Sequence, residues 1–212
     1  MVRTKFRVLL RTRMSARRAP AMSLLGARHG CSKPVSVASW SMARNIEIKA
    51  RIDSVETWLA KAASVADSGP TRILQDDTFF ACPNGRLKLR AFSAEQGELI
   101  FYKRADRTGP KESVYSIAPT ASPDSLREVL SLAYGQIGRV RKTRTLFLAR
   151  RTRIHLDRVD GLGDFLELEV VLSKGEPVEA GIEVAKDLLG LLGVSEESLV
   201  EGAYLDLLTS KG

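Results

Sequence analysis

Acidic and basic residues recur at every second position in several short segments of this 212-residue chain. Glu47 and Lys49 are spaced in this way within the first quarter of the chain, and Glu167 and Glu169 repeat the spacing in its last quarter. Paired carboxylates can hold a divalent cation, whereas Lys and Arg side chains bind phosphate oxygens. The chain has only two Cys and two His residues, so we do not expect a zinc site of the Cys/His type. Any metal is therefore predicted to be held by oxygen.

The alternation predicts that these segments are β-strands with one charged face and one apolar face. In NIEIKARI, the charged residues Glu47, Lys49 and Arg51 oppose three isoleucines. The same pattern marks GRLKLRA, VRKTR, RIHLD and DFLELEVVL. In LIFYKR the two cations, Lys103 and Arg104, are adjacent, so only one of them can share the charged face.

Helical spacing of apolar residues predicts four amphipathic helices between and after these strands. The first is capped by Asp53 or Ser54, and the second begins at Ser122 and Pro123. A third helix carries its apolar residues between Ile182 and Leu192, and the last is capped at Ser195. These helices offer apolar faces that can cover a sheet.

The charged faces are interpreted as the interior of the fold. In an ordinary sheet the polar face meets water, and this explains any one of the strands alone. Taken together, at least five strands carry Lys, Arg, Asp or Glu and hardly any neutral polar residues. We therefore predict an α+β fold: a closed antiparallel β-barrel with a charged interior and flanking amphipathic helices. Buried charges of this number are costly without a ligand, and a triphosphate with a divalent cation matches them.

The net charge of +8 belongs to the N-terminal segment. Residues 1–46 contain eight Arg and two Lys and no acidic residue, which leaves 23 basic and 25 acidic residues for the remainder. We therefore expect no nucleic-acid partner for the domain, and no run is long enough to span a membrane. The basic leader, residues 1–43, resembles a mitochondrial transit peptide; alternatively the protein starts at Met42, so the expected location is mitochondrial or cytoplasmic. Residues 44–210 are predicted to form one domain.

The charged strands resemble the CYTH superfamily, also called triphosphate tunnel metalloenzymes. The segments NIEIKAR, GRLKLR, LIFYKR, VRKTR, RIHLD and FLELE carry the resemblance, and HLDRVDGLGDFLELE is most similar to the class IV adenylyl cyclase-like branch, which is related to thiamine triphosphatase. The family begins with Glu-x-Glu-x-Lys. Here Glu47 and Lys49 match the second and third members of this signature, whereas Asn45 replaces the first.

The resemblance implies a Mg²⁺- or Mn²⁺-dependent enzyme that binds a triphosphate-containing small molecule or inorganic polyphosphate. The implied metal ligands are Glu47, Asp157, Glu167 and Glu169, and the implied catalytic residues are Glu47, Lys49 and Asp157. The implied phosphate-binding residues are Lys49, Arg51, Lys88, Arg90, Lys103 or Arg104, Lys142, Arg144 and Arg153. We interpret His155 as a structural strand histidine and Tyr115 and Tyr204 as core or lid residues.

Three functions stay open from the sequence. The leading hypothesis is a metal-dependent phosphohydrolase acting on an inorganic or organic triphosphate, such as thiamine triphosphate. The first alternative is a class IV-type adenylyl cyclase that makes cyclic AMP and pyrophosphate from ATP. The second is a non-catalytic polyphosphate-binding module, which the substitution at Asn45 suggests. No oligomeric state is predicted.

Overall fold

A computed structural model describes residues 42–106 and 108–210 of the chain. The predicted leader lies outside these residues except for its last two positions, so its role stays a prediction. Over the described ranges, no helix is both long enough and apolar enough to cross a lipid bilayer.

Within the described ranges the chain forms eight strands and four α-helices. The strands are β1 (Ala43–Arg51), β2 (Ser68–Phe80), β3 (Arg86–Ala91), β4 (Gly97–Arg104), β5 (Lys111–Thr120), β6 (Gln136–Ala149), β7 (Thr152–Val159) and β8 (Gly163–Leu172). The helices are α1 (Val55–Val65), α2 (Pro123–Tyr134), α3 (Val178–Leu192) and α4 (Tyr204–Thr209). A 3₁₀ turn covers Glu196–Ser198.

The strands close into a barrel in the order β1-β5-β4-β3-β2-β6-β7-β8, and every neighbouring pair is antiparallel. The predicted fold class is therefore confirmed. The register places Glu47 opposite Glu169 and Lys49 opposite Glu167 on β1 and β8. Directly opposed residues share one face of a sheet, so the charged faces of these two strands meet inside the barrel.

Strand β2 was not predicted, although it is 13 residues long and pairs with both β3 and β6. Gly69 and Pro70 have the appearance of a helix end, and both lie within the strand. Its inward face also mixes apolar and polar side chains, from Ile73 through Asp77 to Phe79. A mixed face gives no periodic signal, which is why the pattern failed here.

The longer helices cover the outside of the barrel. Helices α1 and α3 pack over β1, β7 and β8, where Ile46, Ile48 and Leu168 are buried. A Cβ atom on Gly181 of α3 would lie 2.6 Å from the side chain of Ile46, so the absence of a side chain lets this helix approach the sheet. Helix α2 packs on β2 and β3.

One end of the barrel is closed from within. The sequence predicts one helix from Ser195 onward, but the structure has a 3₁₀ turn, an irregular segment and the short α4. Tyr204 and Leu205 of α4 join a buried apolar cluster that includes Phe165. The other buried members of this cluster are Phe79, Ile100, Tyr102, Val140, Val159 and Leu162. We call this the closed end, and the opposite end, where β1 begins and β6 ends, the open end.

Candidate functional site

The barrel encloses a cavity of about 360 Å³. Its lining includes seven cationic and five acidic side chains, so the described wall carries net positive charge. The cations are Lys49, Lys88, Arg90, Arg104, Lys142, Arg144 and Arg153, and the carboxylates are Glu47, Asp77, Glu98, Glu167 and Glu169. The register explains this convergence, because each of these residues lies on the inward face of its strand.

Asp157 lies behind the cavity lining, where it accepts hydrogen bonds from two of the lining cations, Lys142 and Arg144. Its carboxylate accepts hydrogen bonds from Arg144 Nε and Nη2 at 2.7 Å each, from Lys142 Nζ at 2.8 Å and from the Tyr204 hydroxyl at 2.9 Å. Burial alone would raise the pKa of this carboxyl, but Arg144 and Lys142 outweigh burial and hold the pKa well below its usual range. Asp157 is fully buried and is not part of the cavity lining. The structure thus does not bring it to the metal-binding or catalytic position that the resemblance implies.

Asp77 of β2, the strand that neighbours β6, binds two further cations in the same way, and sequence reasoning missed it. Arg90 donates to both of its oxygens, from Nε at 2.7 Å and Nη2 at 2.8 Å, and Lys88 Nζ donates at 2.9 Å. Burial would raise the pKa of the Asp77 carboxyl, yet the two cations hold it far below its usual range. The acidic residues in QDDTFF are the only sequence signal for this site, and without a predicted strand they have no assigned face.

Two predicted phosphate-binding residues lie elsewhere. Lys103 points away from the cavity, while its neighbour Arg104 lines it and donates to Glu47 Oε2 at 2.6 Å. Arg51 is on the charged face of β1 but beyond the closed end, where its guanidinium stacks on the Phe165 ring and donates to the Leu162 carbonyl. Of the two alternatives Lys103 and Arg104, the structure brings Arg104 to the cavity, and it places Arg51 outside the cavity, beyond the apolar cluster at the closed end.

Two lysines converge on the floor of the cavity. Lys49 Nζ lies 4.0 Å from the centroid of the Tyr204 ring, and Lys142 Nζ lies 4.8 Å from it. Burial, with a contribution from Arg144, lowers the pKa of Lys142 to about 8, and burial lowers the pKa of Lys49 as well. Both ammonium groups are costly to keep charged in the free protein, and an anionic ligand would stabilise them.

The residues present fit a divalent cation held by oxygen. Glu167 Oε2 accepts from Arg144 at 2.7 Å, and Glu169 Oε2 accepts from Arg153 at 2.7 Å. The Oε1 atom of Glu167 has its nearest cation, Lys49 Nζ, at 3.9 Å, and that of Glu169 has Arg144 Nη1 at 4.0 Å. Each carboxylate therefore keeps one oxygen without a hydrogen bond among the described residues, and carboxylate oxygen is the donor that Mg²⁺ and Mn²⁺ prefer.

His155 lies beside these glutamates as a neutral hydrogen-bond donor. One of its ring nitrogens lies with the two carboxylates in a group whose atoms are within 4.8 Å of one another. Burial, together with Arg144, lowers the pKa of the imidazole to about 3, so the ring is neutral at pH 7. Arg144 Nη1 lies 3.4 Å from Nε2, and since a guanidinium only donates, the imidazole proton belongs on Nδ1.

The Nδ1–H group of His155 is buried and has no hydrogen-bond partner in the described chain. It lies 3.7 Å from Glu169 Oε1 and 4.0 Å from Glu167 Oε2, too far for hydrogen bonds to either. A protonated nitrogen has no lone pair for a metal, so the geometry favours donation to a ligand oxygen. Only the RIHLD alternation pointed to an inward position for this histidine.

Comparison with known proteins gives one family for most of the chain. The sequence model described as the CYTH domain matches residues 43–204. A protein of Methanocaldococcus jannaschii named "Putative adenylate cyclase" is 27% identical over 85 residues, which are 40% of this chain and 49% of that protein. The match thus spans about half the length of this relative.

Solved structures share the fold at low sequence identity. A Pyrococcus horikoshii protein has a TM-score of 0.69 at 24% identity, covering 77% of this chain and 98% of its own. A Pyrococcus furiosus protein has a TM-score of 0.68 at 23% identity, covering 77% and 99%. A Hippeastrum protein described as having a dominant triphosphatase activity has a TM-score of 0.58 at 16% identity, covering 79% and 96%.

Proposed function

Because the chain belongs to the CYTH domain family, we propose that it is a metal-dependent phosphohydrolase that acts on a triphosphate bound in the barrel cavity. The observation that carries the proposal is the inward convergence of seven cations around a cavity whose carboxylates cannot neutralise all of them. A triphosphate supplies the missing negative charge, and its oxygens match Lys and Arg donors.

The cations differ in how freely they can meet a ligand. Arg144 and Arg90 are held by bidentate contacts to Asp157 and Asp77, so they present fixed positive charge to the cavity. Lys49 has a weaker set of partners, the Gly202 carbonyl at 3.4 Å and Glu167 at 3.9 Å, and is the cation most available to a phosphate. Fixed donors around a phosphoanhydride stabilise the charge that develops when water attacks it.

In this proposal Glu167 and Glu169 hold the divalent cation through their free oxygens. Glu47, the cross-strand partner of Glu169, is near enough to contribute a third carboxylate. The bound cation would act as a Lewis acid on the phosphate oxygens. His155 donates Nδ1–H to an oxygen of the ligand, and Lys49 and Lys142 bind phosphate at the cavity floor.

The relatives support this reaction class and also the cyclase alternative. The Hippeastrum protein is described by its triphosphatase activity, while the Methanocaldococcus protein carries the name of an adenylate cyclase. In both reactions an oxygen nucleophile attacks a bound triphosphate: water in the hydrolase, the ribose 3′ hydroxyl in the cyclase. Products separate them, since the cyclase releases cyclic AMP and pyrophosphate.

The test is a product assay with a matched pair of variants. Purified protein is incubated with tripolyphosphate, thiamine triphosphate or ATP and with Mg²⁺ or Mn²⁺, and products are resolved by chromatography. We expect orthophosphate, with at least a tenfold loss in Arg104→Ala and wild-type activity in Lys103→Ala, because only Arg104 reaches the cavity. Cyclic AMP as the main product would replace the hydrolase proposal by the cyclase. Equal losses in the two variants would place the reaction outside the barrel.

A substitution at Asn45 can distinguish an enzyme from a non-catalytic binding module. Its side chain is buried, lines the cavity and leaves Oδ1 without a hydrogen bond within the described chain. A carboxamide oxygen is a neutral and weaker metal ligand than a carboxylate. Turnover by the wild type supports the enzyme. Binding of tripolyphosphate without turnover, with activity appearing in Asn45→Glu, would establish the binding module instead.

A further inference from the structure

Gln75 on β2 is a neutral polar side chain that faces the charged cavity. It is 6% exposed and lines the cavity, and its carbonyl oxygen Oε1 is buried without a hydrogen-bond partner within the described chain. An amide oxygen that is buried and unpaired costs free energy in the folded protein. Such a group points to a function, because a donor that arrives with a ligand removes this cost.

The cations on the strands beside Gln75 donate to other residues. Lys142, its cross-strand partner on β6, donates to Asp157 at 2.8 Å. Arg90 on β3 donates to Asp77 from Nε at 2.7 Å and from Nη2 at 2.8 Å. The two buried aspartates thus hold these cations, and the amide oxygen of Gln75 stays open toward the cavity.

A triphosphate does not supply the missing donor. Its ionised oxygens are acceptors, and they bind the Lys and Arg side chains of the cavity. Nor does a divalent cation suit this position, because the neighbouring inward side chains on β3 and β6 include Arg90 and Lys142. The water that attacks the phosphorus does have O–H groups to donate. The unpaired oxygen of Gln75 therefore matches the nucleophile of the proposed hydrolysis.

The strand register places Gln75 at the depth of the cavity floor. It lies directly opposite Lys142, and the Cβ atoms of opposed residues in an antiparallel pair are about 4.5–5.5 Å apart. The Lys142 ammonium lies 4.8 Å from the centroid of the Tyr204 ring and is one of the two groups proposed to bind phosphate at the floor. Gln75 is thus beside the phosphate that binds at the floor.

Among the described residues, Asn45 has the other buried carboxamide oxygen that is unpaired and faces the cavity, but it lies at a different depth. Strand β1 begins at the open end, and Asn45 precedes Lys49 by four residues, about 13 Å at the rise of a β-strand. Lys49 is at the floor, 4.0 Å from the centroid of the Tyr204 ring. Gln75 is therefore the carboxamide that is placed to orient a water molecule beside a phosphate at the floor.

We propose that Gln75 orients the water that attacks the terminal phosphate. Its Oε1 accepts a hydrogen bond from one O–H of the water, and its Nε2 donates to an oxygen of the same phosphoryl group. The water oxygen bonds to phosphorus as the bridging P–O bond breaks, and the electron pair of that bond leaves with the diphosphate. The other water proton passes to a non-bridging oxygen, which gives dihydrogen orthophosphate, and the amide gains and loses no proton. This inference rests on the proposed function, since it requires hydrolysis of a triphosphate in the cavity.

The experiment uses the full chain and tripolyphosphate, which has no organic group that donates to Gln75 in place of water. With Mg²⁺ or Mn²⁺ present, kcat and KM are measured for the wild type, Gln75→Met and Gln75→Glu. Methionine has a similar length without the hydrogen-bonding groups, whereas glutamate keeps an acceptor oxygen. Leu74→Met is the matched control, because Leu74 precedes Gln75 on β2 but is 61% exposed. Thermal unfolding of each ligand-free protein reports stability.

We expect Gln75→Met to lose about 100-fold in kcat while its KM stays within about threefold, because the phosphate-binding cations are unchanged. Gln75→Glu should have a kcat about tenfold above that of Gln75→Met, with a higher KM because its negative charge faces the phosphates. The control should match the wild type. The unfolding temperature of Gln75→Met should equal or exceed that of the wild type, since the unpaired buried oxygen is gone.

Three results would contradict the role of Gln75 and leave the hydrolase proposal standing. The first is a kcat of Gln75→Met within about threefold of the wild type, and the second is a kcat of Gln75→Glu as low as that of Gln75→Met. The third is a lower unfolding temperature of Gln75→Met together with a raised KM, which would assign Gln75 to the fold alone. Absence of turnover in the wild type would overturn both proposals.

Discussion

Two adjacent aspartates on β2 allow a sharp test of how the cavity is held together. Asp77 points inward and accepts from Arg90 and Lys88, whereas Asp76 points outward and accepts from Arg139. Both aspartates have a bidentate arginine partner, but the Asp77 side chain is 3% exposed and that of Asp76 is 27% exposed. The pair therefore separates the effect of burial from that of hydrogen-bond geometry.

The substitution Asp77→Asn should cost about 3 kcal/mol in the free energy of unfolding. An amide oxygen in the place of Oδ2 can keep the bonds from Lys88 Nζ and Arg90 Nη2, but the bond from Arg90 Nε to Oδ1 is lost. The two cations also lose their buried counter-charge, and breaking a buried ion pair in this way costs about 3–5 kcal/mol, part of which cavity water recovers. Asp76→Asn should cost less than about 1 kcal/mol, because a partly exposed ion pair is screened by water. Urea unfolding followed by circular dichroism measures both variants.

Ligand affinity should change in the opposite direction. Without the Asp77 carboxylate, Lys88 and Arg90 keep their positive charge but lose their counter-charge, so tripolyphosphate should bind Asp77→Asn about tenfold more tightly than wild type. Asp76→Asn should leave this affinity unchanged. Equal stability losses in the two variants, or weaker tripolyphosphate binding by Asp77→Asn, would refute the view that the buried carboxylate stabilises the fold and at the same time weakens ligand binding.

Three further predictions concern protons and metal. Because the pKa of Lys142 is about 8, the free protein loses this positive charge as the pH rises through 8, and kcat/KM should fall above pH 8. The variant Lys142→Arg should shift this decline to higher pH. His155→Asn keeps an N–H group near the position of Nδ1 and should retain tripolyphosphate affinity within about threefold, whereas His155→Leu should lose about tenfold. ¹⁵N NMR of the wild-type imidazole should show the tautomer with the proton on Nδ1. The other tautomer would contradict the role of His155 as a donor to the ligand. Removal of divalent cations with EDTA should abolish turnover but leave tripolyphosphate bound, because the cationic wall belongs to the chain itself; loss of binding in calorimetry would contradict this.

The sequence predicted the face of most strands but not the depth of each side chain in the barrel. Alternation correctly turned Lys49, Arg144 and Glu167 inward, because strict period-two patterns leave only one face for the charges. The same rule placed Arg51 on the inward face of β1, yet it lies beyond the apolar cluster at Phe165. Depth depends on where the closing segments pack, and α4 is too short to carry a strong periodic signal.

The sequence also could not show which acidic and basic side chains pair across neighbouring strands. Asp157 has the right face and type for a metal ligand, but the register of β6 and β7 surrounds it with Arg144 and Lys142 and uses both of its oxygens. Asp77 escaped notice because β2 lacks a clean pattern. Both outcomes depend on cross-strand neighbours that are distant in sequence.

The closed end has a consequence for the order of events in catalysis. Phe165 and Tyr204 belong to the buried apolar cluster at this end, so we expect substrate and products to pass through the open end. For hydrolysis of an organic triphosphate we expect the terminal phosphate to lie deepest among the cations, so that orthophosphate departs after the organic diphosphate. The last product to leave is the one that binds the free enzyme, and orthophosphate should therefore inhibit competitively with substrate while the diphosphate inhibits non-competitively. By closing one end of the barrel, the short helix α4 would thus set the order in which the two products are released.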